Sequence, residues 1–188
     1  LYGVFSYDLW FDEIGTDLFA YDNIHRMAQL SHLDWMTIFN ERIHNDPHSL
    51  LYYNLVYHVS QFLGSGESLR ILSVIFSLLA LGVFYNLSRL FFSQEVSIFA
   101  LLIMAFNPFH VWYAQEARVY ALASFLTLLM VYLYFYALKT DKWIHWIGFS
   151  AAGVLSLFCT YYSVFVMAIL MVPLNFKGNQ TKIKKWMV

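Results

Sequence analysis

Charge is what this chain has least of. Only 12% of its 188 residues are Asp, Glu, Lys or Arg, and 60% are hydrophobic, whereas soluble domains carry about 25% charged residues. That scarcity excludes an ordinary soluble domain and makes the chain a membrane protein by composition. The net charge of −1 leaves no basic footprint, so nucleic acid is not an expected partner. Cys159 is the single cysteine; with no second thiol to bridge, it says nothing of redox compartment. The "GSG" at 64–66 lacks the Lys-Ser/Thr that a phosphate loop requires and reads as a turn. No internal repeat or low-complexity linker divides the chain. It opens on Leu1, its first apolar run "LYGVF" falls far short of the ~20 residues of a span, and "KKWMV" reads as the start of another segment. The sequence is therefore expected to be part of something longer.

Long hydrophobic runs are what it does have. Ile71–Leu90, Val96–Tyr113, Val119–Leu138, Ile144–Cys159 and Tyr162–Phe176 are each long enough, or nearly so, to cross a bilayer. Backbone groups in lipid must be satisfied within the segment, so each run is expected to be an α-helix. The predicted fold is all-α: a polytopic bundle of about five transmembrane helices over residues 71–176. A basic cytoplasmic segment, 177–188, then leads towards a further span.

Arginine and lysine placement orients the bundle. Arg89 stands at the end of the first run, Lys139 and Lys142 follow the third, and Lys177, Lys182, Lys184 and Lys185 follow the fifth. Placing those loops in the cytoplasm puts seven of eleven basic residues inside, as the positive-inside tendency expects. Residues 1–70 and the turn carrying Glu116 and Arg118 then lie outside. The N-x-[ST] sequences at Asn86 and Asn179 fall on the inner side, where no glycan is expected.

The outer segment 1–70 differs in kind. It holds eight of the twelve acids before residue 47 and five of the seven histidines before residue 59. Ile14, Leu18, Tyr21, Ile24 and Ala28 recur at helical spacing with Asp17 and Asp22 off that stripe, the pattern of an amphipathic helix lying on the outer leaflet. "SLLYYNLVYHVSQFLG", Ser49–Gly64, is apolar but short, and reads as a second interfacial or re-entrant helix.

Several residues there can carry chemistry. Asp12 and Glu13 open a predicted helix, where acids favour the positive end of the macrodipole; at a water–lipid boundary either can also serve as a general base. Asp46 with Pro47 fits a turn. His44 and His48 stand at i, i+4, a metal-ligand spacing on a helix, which Pro47 argues against. His25 and His32 read as solvated. Arg118 has two readings: a side chain snorkelling to the headgroups, or a bidentate fork for a lipid-linked phosphate, oriented by Glu116. Tyr52, Tyr53, Trp112, Tyr113 and Tyr120 fit an aromatic belt, and some are able to stack on a sugar.

Taken in order, Asp12-Glu13, "DPHSLLYY" (Asp46–Tyr53) and "NPFHVWYAQEARVY" (Asn107–Tyr120) resemble the C-type integral-membrane glycosyltransferases. The resemblance is closest to the dolichyl-phosphate-mannose protein mannosyltransferase and aminoarabinose transferase-like group. "GSGESLR" before a span and "SRLFF" at its far end fit the same pattern. The resemblance implies an inverting transferase that takes a sugar from a polyprenyl-phosphate carrier, needs no nucleotide, and acts on the non-cytoplasmic face of a bacterial or archaeal cell membrane. It implies that Asp12 is the base, with Glu13 beside it, and that Arg118 with Glu116 holds the carrier phosphate. Asp46, His48 and Tyr53 would position the acceptor or a divalent metal. Expected partners are membrane lipids, the lipid-linked sugar and an acceptor protein or glycolipid. Where the group carries two prolines after the histidine, this chain has Ser49-Leu50, and members of the group carry more spans than the runs found here. A competing expectation is therefore a shortened, non-catalytic subunit working with other membrane subunits. A small transporter is the weaker alternative, because ionisable groups inside the runs are scarce.

Overall fold

The computed structural model describes residues 50–63 and 69–171. Seven helices run in chain order through them: α1 (Leu50–Leu63), α2 (Arg70–Ser88), α3 (Gln94–Ala105), α4 (Pro108–Ala114), α5 (Tyr120–Thr140), α6 (Trp143–Cys159) and α7 (Ser163–Met171). No strand occurs among the described residues, so the all-α expectation holds. The amphipathic helix expected over 14–28 and the basic segment 177–188 lie outside the described residues.

The runs Ile71–Leu90, Val119–Leu138 and Ile144–Cys159 coincide with α2, α5 and α6 within about two residues. α2 and α5, 19 and 21 residues long, are apolar and long enough to cross a membrane. α3 and α4 together meet the same test but bend by 60° at their junction, where a single straight span was expected over 96–113. α6 is apolar at 17 residues, and α7 is described for nine.

α5 is the central element. Ala123, Leu126, Met130, Tyr134 and Ala137 are buried along it at helical spacing, and it packs against both α2 and α6. Association in lipid relies on close backbone approach rather than on hydrophobic driving force, and α6 supplies the small residues for it. A β-carbon on Gly153 would meet Met130 Sδ at 3.5 Å and Met167 Cε at 3.4 Å; one on Gly148 would meet Leu133 Cδ1 at 3.3 Å. One turn further, Thr127 Oγ1 lies 3.2 Å from Ser156 Oγ, which donates to Ser163 Oγ at 2.8 Å. Ser163 Oγ is in turn 2.8 Å from the Thr160 carbonyl and 3.0 Å from that of Ser156, so its one proton is shared between them. These hydroxyls satisfy one another and tie α5, α6 and α7 together.

The two ends of the bundle can be told apart. At one end Leu69, Leu72, Ala117, Leu122 and Cys159 form a cluster that Tyr52 and Val56 of α1 cover. With 14 residues, α1 is about 21 Å long, too short for the ~30 Å hydrocarbon layer; its buried face lies against that end. At the other end, Arg89 Nη1 donates to the Phe92 carbonyl at 2.9 Å and Phe91 meets Phe135 edge-on at 4.9 Å. Thr140 Oγ1 donates to the Tyr136 carbonyl at 2.8 Å and lies 2.7 Å from His145 Nδ1, closing the turn at Asp141, whose φ is +56°. The bent pair α3–α4 thus starts at the second end and finishes at the first, a full passage through the bundle. Asn86 falls inside α2, its amide donating to the Gly82 carbonyl at 2.8 Å.

Gly153→Leu is expected to destabilise the bundle by about 1–3 kcal/mol, the usual range for overpacking a filled interior. A lower thermal midpoint in detergent would show it; an unchanged midpoint would contradict the close α5–α6–α7 contact.

Candidate functional site

Asn107 begins the site. Its Oδ1 accepts from the backbone N–H of Phe109 at 2.9 Å and of His110 at 3.4 Å, capping α4, and Pro108 takes the first helical position, where its missing N–H costs nothing. The residue before a proline resists helical geometry, so α3 ends at Ala105 and the chain is redirected by the observed 60°. The apolar run predicted a continuous span; this Asn-Pro pair is the signal that would have broken it.

α4 lasts seven residues and delivers the turn 115–119 to the end covered by α1. Ala117, 1% exposed, plugs into the cluster beneath Tyr52 and Val56. Glu116 and Arg118, on either side of it, are half-buried, and the Arg118 N–H donates to the Glu116 carbonyl at 2.9 Å. Trp112 Nε1 donates to Glu116 Oε1, strapping the carboxylate to the last turn of α4. The Arg118 Cζ stands 5.1 Å from the centre of the Tyr120 ring, a cation–π distance. Tyr120 packs on Tyr113, their ring centres 4.7 Å apart. Arg70, 2% exposed on the first turn of α2, is a second guanidinium at this end.

Beside this turn an open cavity of about 490 Å³ runs between α2, α3, α4 and α5. Phe84, Ala100, Ile103, Met104 and Phe109 make most of its wall apolar, and Asn107, His110, Tyr113 and Ser124 add polar atoms. His110 Nε2 is buried without a hydrogen-bond partner among the described residues. Tyr113 belongs to two settings at once: it lines the cavity and it backs the ring under Arg118.

Of the residues singled out in the sequence, Glu116 and Arg118 are brought together in this turn. Tyr53 lies on α1, and its side chain is outside what the structure describes; Asp12, Glu13, Asp46 and His48 lie outside the described residues altogether. Among the described residues, no three of His, Cys, Asp and Glu come together as a metal site. What the sequence reading missed is the arrangement of Trp112, Tyr113 and Tyr120, which it treated as belt aromatics.

A bundle of apolar helices that carries an arginine turn at one end defines an integral membrane protein. The chain belongs to the dolichyl-phosphate-mannose-protein mannosyltransferase family, whose model matches residues 48–188. It is thus a membrane glycosyltransferase of the mannosyltransferase type. The match takes in His48, Tyr53, Glu116 and Arg118 and stops short of Asp12, Glu13 and Asp46. No curated protein and no solved structure matches the chain.

Asn107→Ala is expected to lower stability by about 1 kcal/mol, the usual cost of a lost N-cap acceptor, while Asn107→Asp keeps most of it. Comparing the thermal midpoints of the two variants checks this; equal loss in both would show that the cap contributes nothing at the bend.

Proposed function

We propose that the protein moves a sugar from a polyprenyl-phosphate carrier to an acceptor on the non-cytoplasmic side of the membrane, with Arg118 receiving the carrier phosphate. One observation carries this reading: the Arg118 guanidinium is seated on an aromatic ring at a bundle end, beside an apolar cavity. A lipid phosphate has the same composition, an anion joined to a hydrocarbon chain. The anion suits the guanidinium fork, which matches phosphate oxygens two at a time, and the first isoprene units suit the cavity.

In the proposed reaction the acceptor hydroxyl attacks the anomeric carbon as the bond from that carbon to the phosphate oxygen breaks. The electron pair leaves with the phosphate, and configuration at the carbon inverts. Charge grows on the phosphate through the step, and a donor fixed before the reaction stabilises it without reorganising; that is the role of Arg118. Asp12 accepts the acceptor's proton as general base, with Glu13 beside it. Glu116, held by Trp112, orients the arginine. Asp46, His48 and Tyr53 position the acceptor, a protein hydroxyl or a glycolipid, and no step is assigned to a divalent cation. The distribution of Lys and Arg supports an outward-facing site, in a bacterial or archaeal cell membrane.

Asp12→Asn in the full-length protein is expected to lower sugar transfer about 10²–10⁴-fold, the usual contribution of a general base. Arg118→Ala is expected to lower it about 10²–10³-fold, with Arg118→Lys between wild type and alanine because lysine lacks the fork. Both proteins should remain in the membrane fraction. Transfer rates near wild type in Asp12→Asn and Arg118→Ala would overturn the assignment.

A further inference from the structure

Two charged residues flank a buried alanine at the tip of the arginine turn. The Arg118 N–H donates to the carbonyl of Glu116, two residues back, which closes a three-residue γ-turn centred on Ala117. The φ of Ala117 is negative, so this is the common, unstrained inverse form. Such a turn draws its first and third residues together and directs the middle side chain away from them. The burial follows that geometry: Ala117 is 1% exposed, while Glu116 and Arg118 are half-buried.

What Ala117 enters is already full. It shares a cluster with Tyr52 and Val56 of α1, Leu72 of α2 and Leu122 of α5, all of them buried. A filled interior takes an added methylene only by shifting backbone or forcing rotamers. Here α2 and α5 are long membrane helices packed on each other, and α1 covers the cluster from outside. A larger side chain at 117 therefore lifts the turn, and Glu116 and Arg118 rise with it. Residue 117 acts as a size gauge for the height of that pair. The dependence runs through the backbone, so it holds whatever else the Arg118 side chain touches.

We propose that Ala117 is a positioning residue: seated under α1, it sets the depth at which Arg118 meets a lipid phosphate. This rests on the phosphate reading above. Misplacement of about 1 Å can cost about 10²-fold in rate, so a small residue at the tip has a functional consequence as well as a packing one.

The test uses the purified full-length protein in detergent and the affinity of its folded fraction for a polyprenyl monophosphate. Ala117→Gly, which adds no volume, should stay within about 5-fold of wild type, the cost of a freer backbone. Ala117→Val and Ala117→Leu should weaken binding in order of size, by about 5- to 150-fold, the overpacking range read as an equilibrium. A merely structural alanine would leave the affinity of the folded fraction unchanged. In an Arg118→Ala background neither enlargement should cause further loss, because the group being misplaced is gone. Val56→Ala makes room above the turn and should recover part of the loss in Ala117→Val, a volume-conserving exchange; this pair carries the test if Ala117→Leu does not accumulate. Wild-type affinity in both enlarged variants, the same loss with or without Arg118, or no recovery by Val56→Ala would overturn the positioning role. Wild-type binding by Arg118→Ala itself would overturn the phosphate reading, and this inference with it.

Discussion

In lipid, an apolar side chain gains nothing by leaving its solvent, so helices here are held by how closely their backbones approach. The small face of α6 meets this constraint. Gly148 and Gly153 admit Leu133, Met130 and Met167 to within van der Waals contact, and Ser156 places its hydroxyl where Thr127 and Ser163 satisfy it. With α5 locked from this side and packed on α2 from the other, its first turn becomes a rigid floor. The site stands on that floor. Tyr120 points its ring at Arg118 because α5 starts at a defined place and cannot slide.

Around that floor, each neighbouring residue of the turn has a separate job. Ala117 anchors it into the cluster under α1, Glu116 is strapped back to α4 by Trp112, and Arg118 is laid forward onto α5. Five residues joining two helices are thereby fixed at three points. A loop so constrained loses little entropy when a ligand arrives, which suits the role proposed for Arg118.

Much of this was legible in the sequence, and the reasons differ by feature. Helices in lipid are dictated by runs of apolar residues, so α2, α5 and α6 fall within about two residues of the predicted runs Ile71–Leu90, Val119–Leu138 and Ile144–Cys159. The bend at Asn107-Pro108 was written locally, but the hydrophobicity on both sides hides it. Arg118 stood out because a charge between two spans is expensive. Its seat did not, because a contact between residues 118 and 120 depends on where one helix begins, and the Tyr113 brace depends on the angle at which another helix ends. Trp112, Tyr113 and Tyr120 look like any interfacial aromatics until that geometry is known. The acidic pair Asp12-Glu13 stands before the segment that the family match covers, so its role rests on the resemblance of motif order.

The bend also sets how thick a layer the bundle fits. With α3 along the membrane normal, its 12 residues rise about 18 Å, and α4, tilted by 60°, adds about half of its length, or roughly 5 Å. The helical residues of the pair thus climb about 23 Å, and Phe106 and Asn107 between them add roughly 3–6 Å, against about 31 Å for the 21 residues of α5. The shortfall is thus a few ångströms, and it falls at the end away from Arg118: Phe91, just before α3, meets Phe135, five residues short of the end of α5. Hydrophobic mismatch is accommodated by thinning the bilayer or by letting polar groups reach outward from below its surface. A bundle seated with α3 along the normal would meet that mismatch near the corner at Arg89, away from the arginine turn.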